Sequence, residues 1–138
     1  VLRVTADTNI LVSAISYPRG KPRRLLNAAL ADAISLTVSK PIMDEMCDVL
    51  ARKFDASPEE VAEARTIVAQ AARIIRPAVQ LEVIKHDPPD NRILECAVSA
   101  GSDYIVSGDK DLLRLKSYDS ITIVNVSDFL QIERDVNG

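Results

Sequence analysis

Apolar and polar residues fall in blocks along this chain, and the blocks switch between a period near two and a period near 3.6. Residues 1–6 are apolar except for Arg3 and Thr5 and read as a buried strand, and residues 10–15 read as a short helix start. Residues 16–24, SYPRGKPRR, are basic and turn-rich. RLLNAALAD then has helical spacing, with Leu25, Leu26, Ala29 and Leu30 on one side. Residues 33–39 read as a strand, and KPIMDEMCDVLARK reads as a helix with Pro41 in its first turn, where a missing N–H costs nothing. Ser57 is an N-cap before Pro58, Glu59 and Glu60, and its helix is expected to reach about Arg73. LEVI, at 81–84, reads as a short strand. DNRILECAVSAG reads as a helix ending at Gly101. DYIVS is a strand, DKDLLRL a short helix, SITIVN a strand, and SDFLQIERD a last helix capped by Ser127. Strands separated by helices predict an α/β fold with a mainly parallel sheet.

Such sheets bind ligands beyond the carboxyl ends of their strands. Acids follow those ends in four places: Asp7 in TADTNILVSA, Asp44 and Glu45, Asp87 and Asp90, and Asp109 and Asp111. Helical phase sorts them. Asp90 lies one turn before Ile93 and Leu94, on the apolar face that Ala97 and Val98 continue. Glu45 sits at the edge of the stripe made by Ile42, Met46, Val49 and Leu50, while Asp44 and Asp48 point toward water. An inward carboxylate needs a partner. Arg92 points elsewhere by phase, and a bound cation would satisfy the acids together.

Each acid also has an ordinary explanation. Asp90 after Pro88 and Pro89, Asp7, and Asp109 before KDLL can all be helix caps, and Glu45 can be a boundary residue. Their shared position beyond strand ends argues for a common site. Asp87 stays open, and Asp111 is open between joining the cluster and favouring its helix N-terminus.

The composition narrows the chemistry. The 138 residues suit a single domain with its own core, residues 1–138, and the 47% hydrophobic and 27% charged shares are ordinary for one. A net charge of −3 argues against a passive nucleic-acid coat. The local cationic patch is Arg19, Lys21, Arg23 and Arg24, read either as a solvated turn or as a guide for a phosphate backbone. With one histidine, His86, expected to be solvated in a loop, a two-histidine ribonuclease mechanism is excluded. No GxSxG, GxxxxGK[ST] or GxGxxG occurs, and no His/Cys cluster suits zinc. Aromatic residues are 4% and form no stacking platform for bases. Cys47 and Cys96 have no CxxC spacing and read as free thiols of a reducing cytosol. No apolar run is long enough to span a membrane, and no signal peptide opens the chain, whose Val1 reads as a processed or trimmed start.

ADTNILVSA, the inward Glu of PIMDEMCDVLARK, and DPPDNRILECAVSAGSDYIVSGDKDLLRL together resemble PIN domains, most of all the VapC-like toxins of toxin–antitoxin pairs. The resemblance implies a three-layer α/β/α fold with a small, mainly parallel central sheet. It implies a metal-dependent endoribonuclease with one or two Mg²⁺ or Mn²⁺ ions. Asp7, Glu45, Asp90 and Asp109 match the motif acids, Asp111 an acid often present there, Asn9 a supporting amide and Ser107 a small hydroxyl. It also implies an RNA substrate, an antitoxin partner and a homodimer. Two other classes stay open at this stage. One is a non-catalytic RNA- or partner-binding module on the same fold. The other is a magnesium phosphotransferase with Asp7 as nucleophile, although that chemistry wants a second aspartate where Asn9 stands.

Overall fold

The computed structural model describes residues 1–84 and 88–137. His86 and Asp87, considered above, lie outside the described residues. The elements run β1 (Leu2–Ala6), α1 (Thr8–Ser16), α2 (Lys21–Leu30), β2 (Ile34–Ser39), α3 (Lys40–Lys53), α4 (Pro58–Ala71), β3 (Ala72–Ile75), α5 (Pro88–Ala100), β4 (Tyr104–Val106), α6 (Lys110–Leu115), β5 (Ser117–Tyr118), β6 (Ile121–Val124) and α7 (Val126–Asn137). The expected α/β class is borne out: helices flank one mostly parallel sheet in the order β3-β2-β1-β4-β6-β5. Among the described residues, only β5, beside β6, is antiparallel.

Both faces of the central strand are covered. Thr5 meets Ser102 at 2.8 Å and Cys96 of α5 at 3.9 Å, so its side of β1 faces α5. Alternation sends Val4 and Ala6 to the other side, and both are fully buried there. Leu36 and Val38 of β2 and Val106 of β4 continue that core, while Ile105, opposite Thr5, is buried on the α5 side. Among the described residues, no helix is long and apolar enough to cross a membrane.

Several local expectations need correction. The basic turn is only residues 17–20, because Gly20 caps α2 and Pro22 fits its first turn, so Lys21, Arg23 and Arg24 are helical. The helix after Ser57 stops at Ala71, and Ala72–Ile75 pairs with β2 as an edge strand that the helical reading absorbed. Ser57 does form a full capping box with Glu60. The two-residue β5 was missed. It joins β6 through Asp119 and Ser120, both at positive φ, the backbone a tight hairpin requires. The last helix starts after Asn125, whose Oδ1 accepts the Asp128 N–H, so Asn125 rather than Ser127 caps it. Gly101 ends α5 at φ +65°, as its place after the apolar periodicity predicts.

LEVI is not a strand. Residues 78–84 are instead fastened along α5 by that helix's own side chains. The Ser99 hydroxyl accepts the Ala78 N–H at 3.0 Å and Glu95 accepts the Leu81 N–H at 2.7 Å. Asn91 both accepts the Ile84 N–H at 2.9 Å and donates to the Ile84 carbonyl at 2.8 Å. Asn91, Glu95 and Ser99 recur every fourth residue, so they form one polar stripe on the helix. Alternation in the sequence of 81–84 gave a strand, but the backbone finds its partners on a helix instead of a sheet.

Two outcomes follow from this packing. Asn91→Ala strands two buried main-chain groups, and urea unfolding should show a loss of roughly 2–4 kcal/mol; a loss under about 0.5 kcal/mol would mean that water replaces the amide. Burial pushes the Cys96 thiol up to about 11 from 9.0, against weaker opposing hydrogen bonds from Thr5 and Ser39. The folded protein therefore holds this proton longer than the unfolded chain. Its contribution to stability is complete below about pH 9 and declines toward pH 11. Thiol labelling with peptide mapping should find Cys96 unreactive in the native protein at neutral pH and modified only on unfolding.

Candidate metal centre and acidic cleft

The order of the sheet places the site. From β1 the chain moves to β2 on one side, and later to β4 on the other, so the connections diverge between β1 and β4. Such a switch point leaves a crevice at the carboxyl ends of the two strands. Asp7 directly follows β1 and Asp109 lies three residues beyond β4.

Both aspartates are held by helix starts. Asp7 caps α1, its Oδ1 accepting the Asn9 N–H at 2.8 Å. Asp109 caps α6, its Oδ1 accepting the N–H groups of Asp111 at 2.9 Å and Leu112 at 3.1 Å. The capping explanation of these acids is therefore correct, and it leaves further oxygen capacity on each carboxylate. Ser107 couples them. Its buried hydroxyl donates to Asp7 Oδ2 at 2.5 Å and accepts the Asp109 N–H at 2.9 Å. Main-chain bonds from Asp7 N–H to Val106 and from Ser107 N–H to Val124 lock the same junction. Asn9 supports Asp7 through its main-chain N–H, while its side chain is exposed.

Asp7, Thr8, Asn9, Glu45, Val49, Pro89, Asp90, Ile93 and Asp109 line one cleft of about 190 Å³, together with Arg52 and Lys53. Asp90 is buried in the first turn of α5, as helical phase predicts. Glu45 is half-buried, and the Thr8 hydroxyl reaches it at 3.5 Å. Asp90, Asp109 and Asp111 each offer an oxygen within 4.8 Å of the others. Oxygens on opposite sides of one Mg²⁺ or Ca²⁺-sized ion stand about 4–5 Å apart, so one hard cation can bridge this set. All three donors are carboxylates, which suits such an ion and not zinc or copper. Asp111, open at the level of sequence, thus stands with the cluster, and it also pairs with Arg114 at 3.2 Å.

Outside the cleft, Asp44 faces the surface as helical phase predicts, and the cationic patch lies elsewhere. Asp44 bonds Lys40 and Arg65 on the surface, and the Lys40 hydrogen bond above all holds its carboxyl below the usual range. None of Arg19, Lys21, Arg23 and Arg24 lines the cleft. Arg23 instead reaches the Ala14 carbonyl near the far end of α1, and Lys21 bonds Ser127. Sequence reasoning missed Thr8, Arg52 and Lys53 in the cleft. It also missed Glu95, a buried acid that Arg92 neutralises at 2.8 Å. Arg52 was findable: it lies seven residues after Glu45, on the same helix face.

A family model for the PIN domain matches residues 3–111. The chain belongs to the PIN domain family. An uncharacterized protein of Methanocaldococcus jannaschii is 26% identical to this PIN domain over 128 residues, spanning 90% of this chain and 81% of its own. A chain from the crystal structure of VapBC2 from Rickettsia felis, bound to a DNA fragment from their promoter, matches with a TM-score of 0.67 at 16% identity. That match covers 90% of this PIN domain and 98% of the other chain, and it shows a shared fold. The resemblance read from the DTN and SGDKD blocks is borne out for family and fold.

The oxygen set carries a direct expectation. A divalent ion bound only by the folded state raises its melting temperature with concentration. Added Mg²⁺ or Mn²⁺ should raise Tm relative to EDTA, and Asp109→Asn or Asp111→Asn should shrink that rise. An equal rise in the variants would place the ion elsewhere.

Proposed function

We propose that this PIN domain is a metal-dependent endoribonuclease that hydrolyses single-stranded RNA. The observation that carries the reading is the convergence of Asp7, Glu45, Asp90 and Asp109 on one cleft at the sheet's switch point. Asp90 and Asp109, with Asp111, would hold one Mg²⁺ or Mn²⁺, and Asp7 and Glu45 face the same space and would serve it or a second ion. A divalent ion bound there supplies Lewis acidity and positive charge for the phosphodiester.

The protein's own groups do the rest. Glu45 accepts a proton from the attacking water, with the Thr8 hydroxyl setting its direction. The water oxygen bonds to phosphorus, the bond to the 3′ oxygen breaks, and that oxygen takes a proton from solvent. The products are a 5′-phosphate and a 3′-hydroxyl. Ser107 and the Asn9 N–H fix Asp7, a supporting role that leaves the reacting atoms to the carboxylates. Because both Asp7 oxygens already accept these bonds, Asp7 is a poor nucleophile, which disfavours the phosphotransferase.

Family membership supports a nuclease. The fold shared with a VapBC2 chain supports a toxin of a toxin–antitoxin pair with an antitoxin partner; we extend this to action in the cytoplasm and to an antitoxin segment that places a cation among the acids. A homodimer belongs to the same reading. The patch of Arg19 in the turn and Lys21, Arg23 and Arg24 on α2 would meet only RNA long enough to reach the far end of α1.

The test is cleavage of mixed single-stranded RNA with Mg²⁺, Mn²⁺ or EDTA. Cuts should require metal and carry 5′-phosphates by mass spectrometry. Glu45→Gln should slow them by about 10²–10⁴-fold, and Asp7→Asn and Asp90→Asn should abolish them. Cyclic 2′,3′-phosphates would overturn the mechanism. RNA binding without cleavage, unchanged in Asp7→Asn, would identify a binding module. A trapped aspartyl-phosphate at Asp7 would restore the phosphotransferase.

A further inference from the structure

The cleft contains an electrostatic conflict. Four of its lining residues are acids, and the proposed substrate is a polyanion. Metal would offset part of that repulsion, but only at the bond being cut. A strand must also be held by its neighbouring phosphates. The cleft's own cations are Arg52 and Lys53, from the last turn of α3.

We propose that Arg52 and Lys53 bind the phosphate next to the scissile one, so that the RNA backbone leaves the acids across the C-terminal end of α3. This inference rests on the nuclease reading above. Helical geometry supports it: Glu45, Val49 and Arg52 follow one face, with Lys53 beside it, and all four line the cleft. Seven residues of helix carry Arg52 roughly 10 Å past Glu45 along the axis. That separation suits an adjacent phosphate better than the one under attack.

The two cations are available for this. Arg52 is paired with Asp48 at 2.7 Å, but both side chains are more than half exposed, at 59% and 55%. Such a surface pair is weak and exchanges readily for phosphate. A guanidinium can keep one carboxylate contact and still present N–H groups elsewhere. Lys53 is exposed, and among the described residues no ion pair within 4.0 Å engages it. A bland role exists, since cations in a last helical turn complement the helix dipole. That role predicts an effect on stability and none on RNA.

The test compares wild type, the Arg52→Ala/Lys53→Ala double variant, Arg52→Lys, and Arg134→Ala on α7 as a distant control. The probe is a short mixed-sequence single-stranded RNA. Binding is measured in EDTA over a range of salt, and kcat and KM are measured with Mg²⁺ or Mn²⁺. The double variant should raise Kd and KM about tenfold, leave kcat within about twofold, and flatten the salt slope by about 0.7, the value for one neutralised single-strand phosphate. Arg52→Lys should retain most of the slope, and Arg134→Ala should match wild type. A double variant with wild-type Kd, KM and slope, while Asp90→Asn still abolishes cleavage, would overturn this inference and leave the nuclease standing. A fall in kcat with KM unchanged would overturn it too. Wild type that neither binds nor cuts RNA with any metal would remove the nuclease reading, and this inference with it.

Discussion

The Ser107 hydroxyl is the contact on which the cleft depends. It touches the carboxylate after β1 and the main chain before α6, and it is fully buried while doing so. A serine is small enough to sit between two adjacent strand ends and still donate and accept. Either aspartate alone could cap its own helix. The hydroxyl makes their positions a single geometric fact, set by the pairing of β1 with β4. The acids therefore inherit the rigidity of the sheet, where loops would have left them loose.

Behind that junction the core is partly polar. Thr5, Ser102 and Cys96 meet between β1 and α5, and Thr37 and Ser39 are buried on the neighbouring strand. Short hydroxyl side chains let α5 approach the sheet closely and satisfy one another. Close approach matters because Asp90 rides on the first turn of this helix. The polar stripe that fastens residues 78–84 secures the same helix from outside. Asp90 is thus placed from two sides, by a sheet and by a strap.

Much of this was legible in the sequence, and the reason differs by residue. Asp7, Asp90 and Asp109 were legible because each interrupts an apolar pattern where a strand or helix changes direction. Glu45 was legible by phase alone. β3 was not, since Ala72–Ile75 continues the apolar content of the preceding helix and declares itself only by pairing with β2. The strand expected at 81–84 failed for the opposite reason: its alternation is real, but its hydrogen-bond partners are side chains. The cationic patch was placed by local density of charge, whereas proximity to the cleft is set by helix phase and favours Arg52. Glu95 shows the limit of reading buried acids as ligands, because a neighbouring Arg92 neutralises it.

The bond between Ser107 and Asp7 spans 100 positions of chain. A ribosome delivers Asp7 well before Ser107, and parallel neighbours of such separation form slowly. β1 can pair with β2 early, but its other edge waits for β4. The carboxylates are consequently scattered on a nascent chain until synthesis has passed Asp109. A cleft built this way is absent while the chain up to Asp109 is still being made. Its acids come together only when the sheet closes around them.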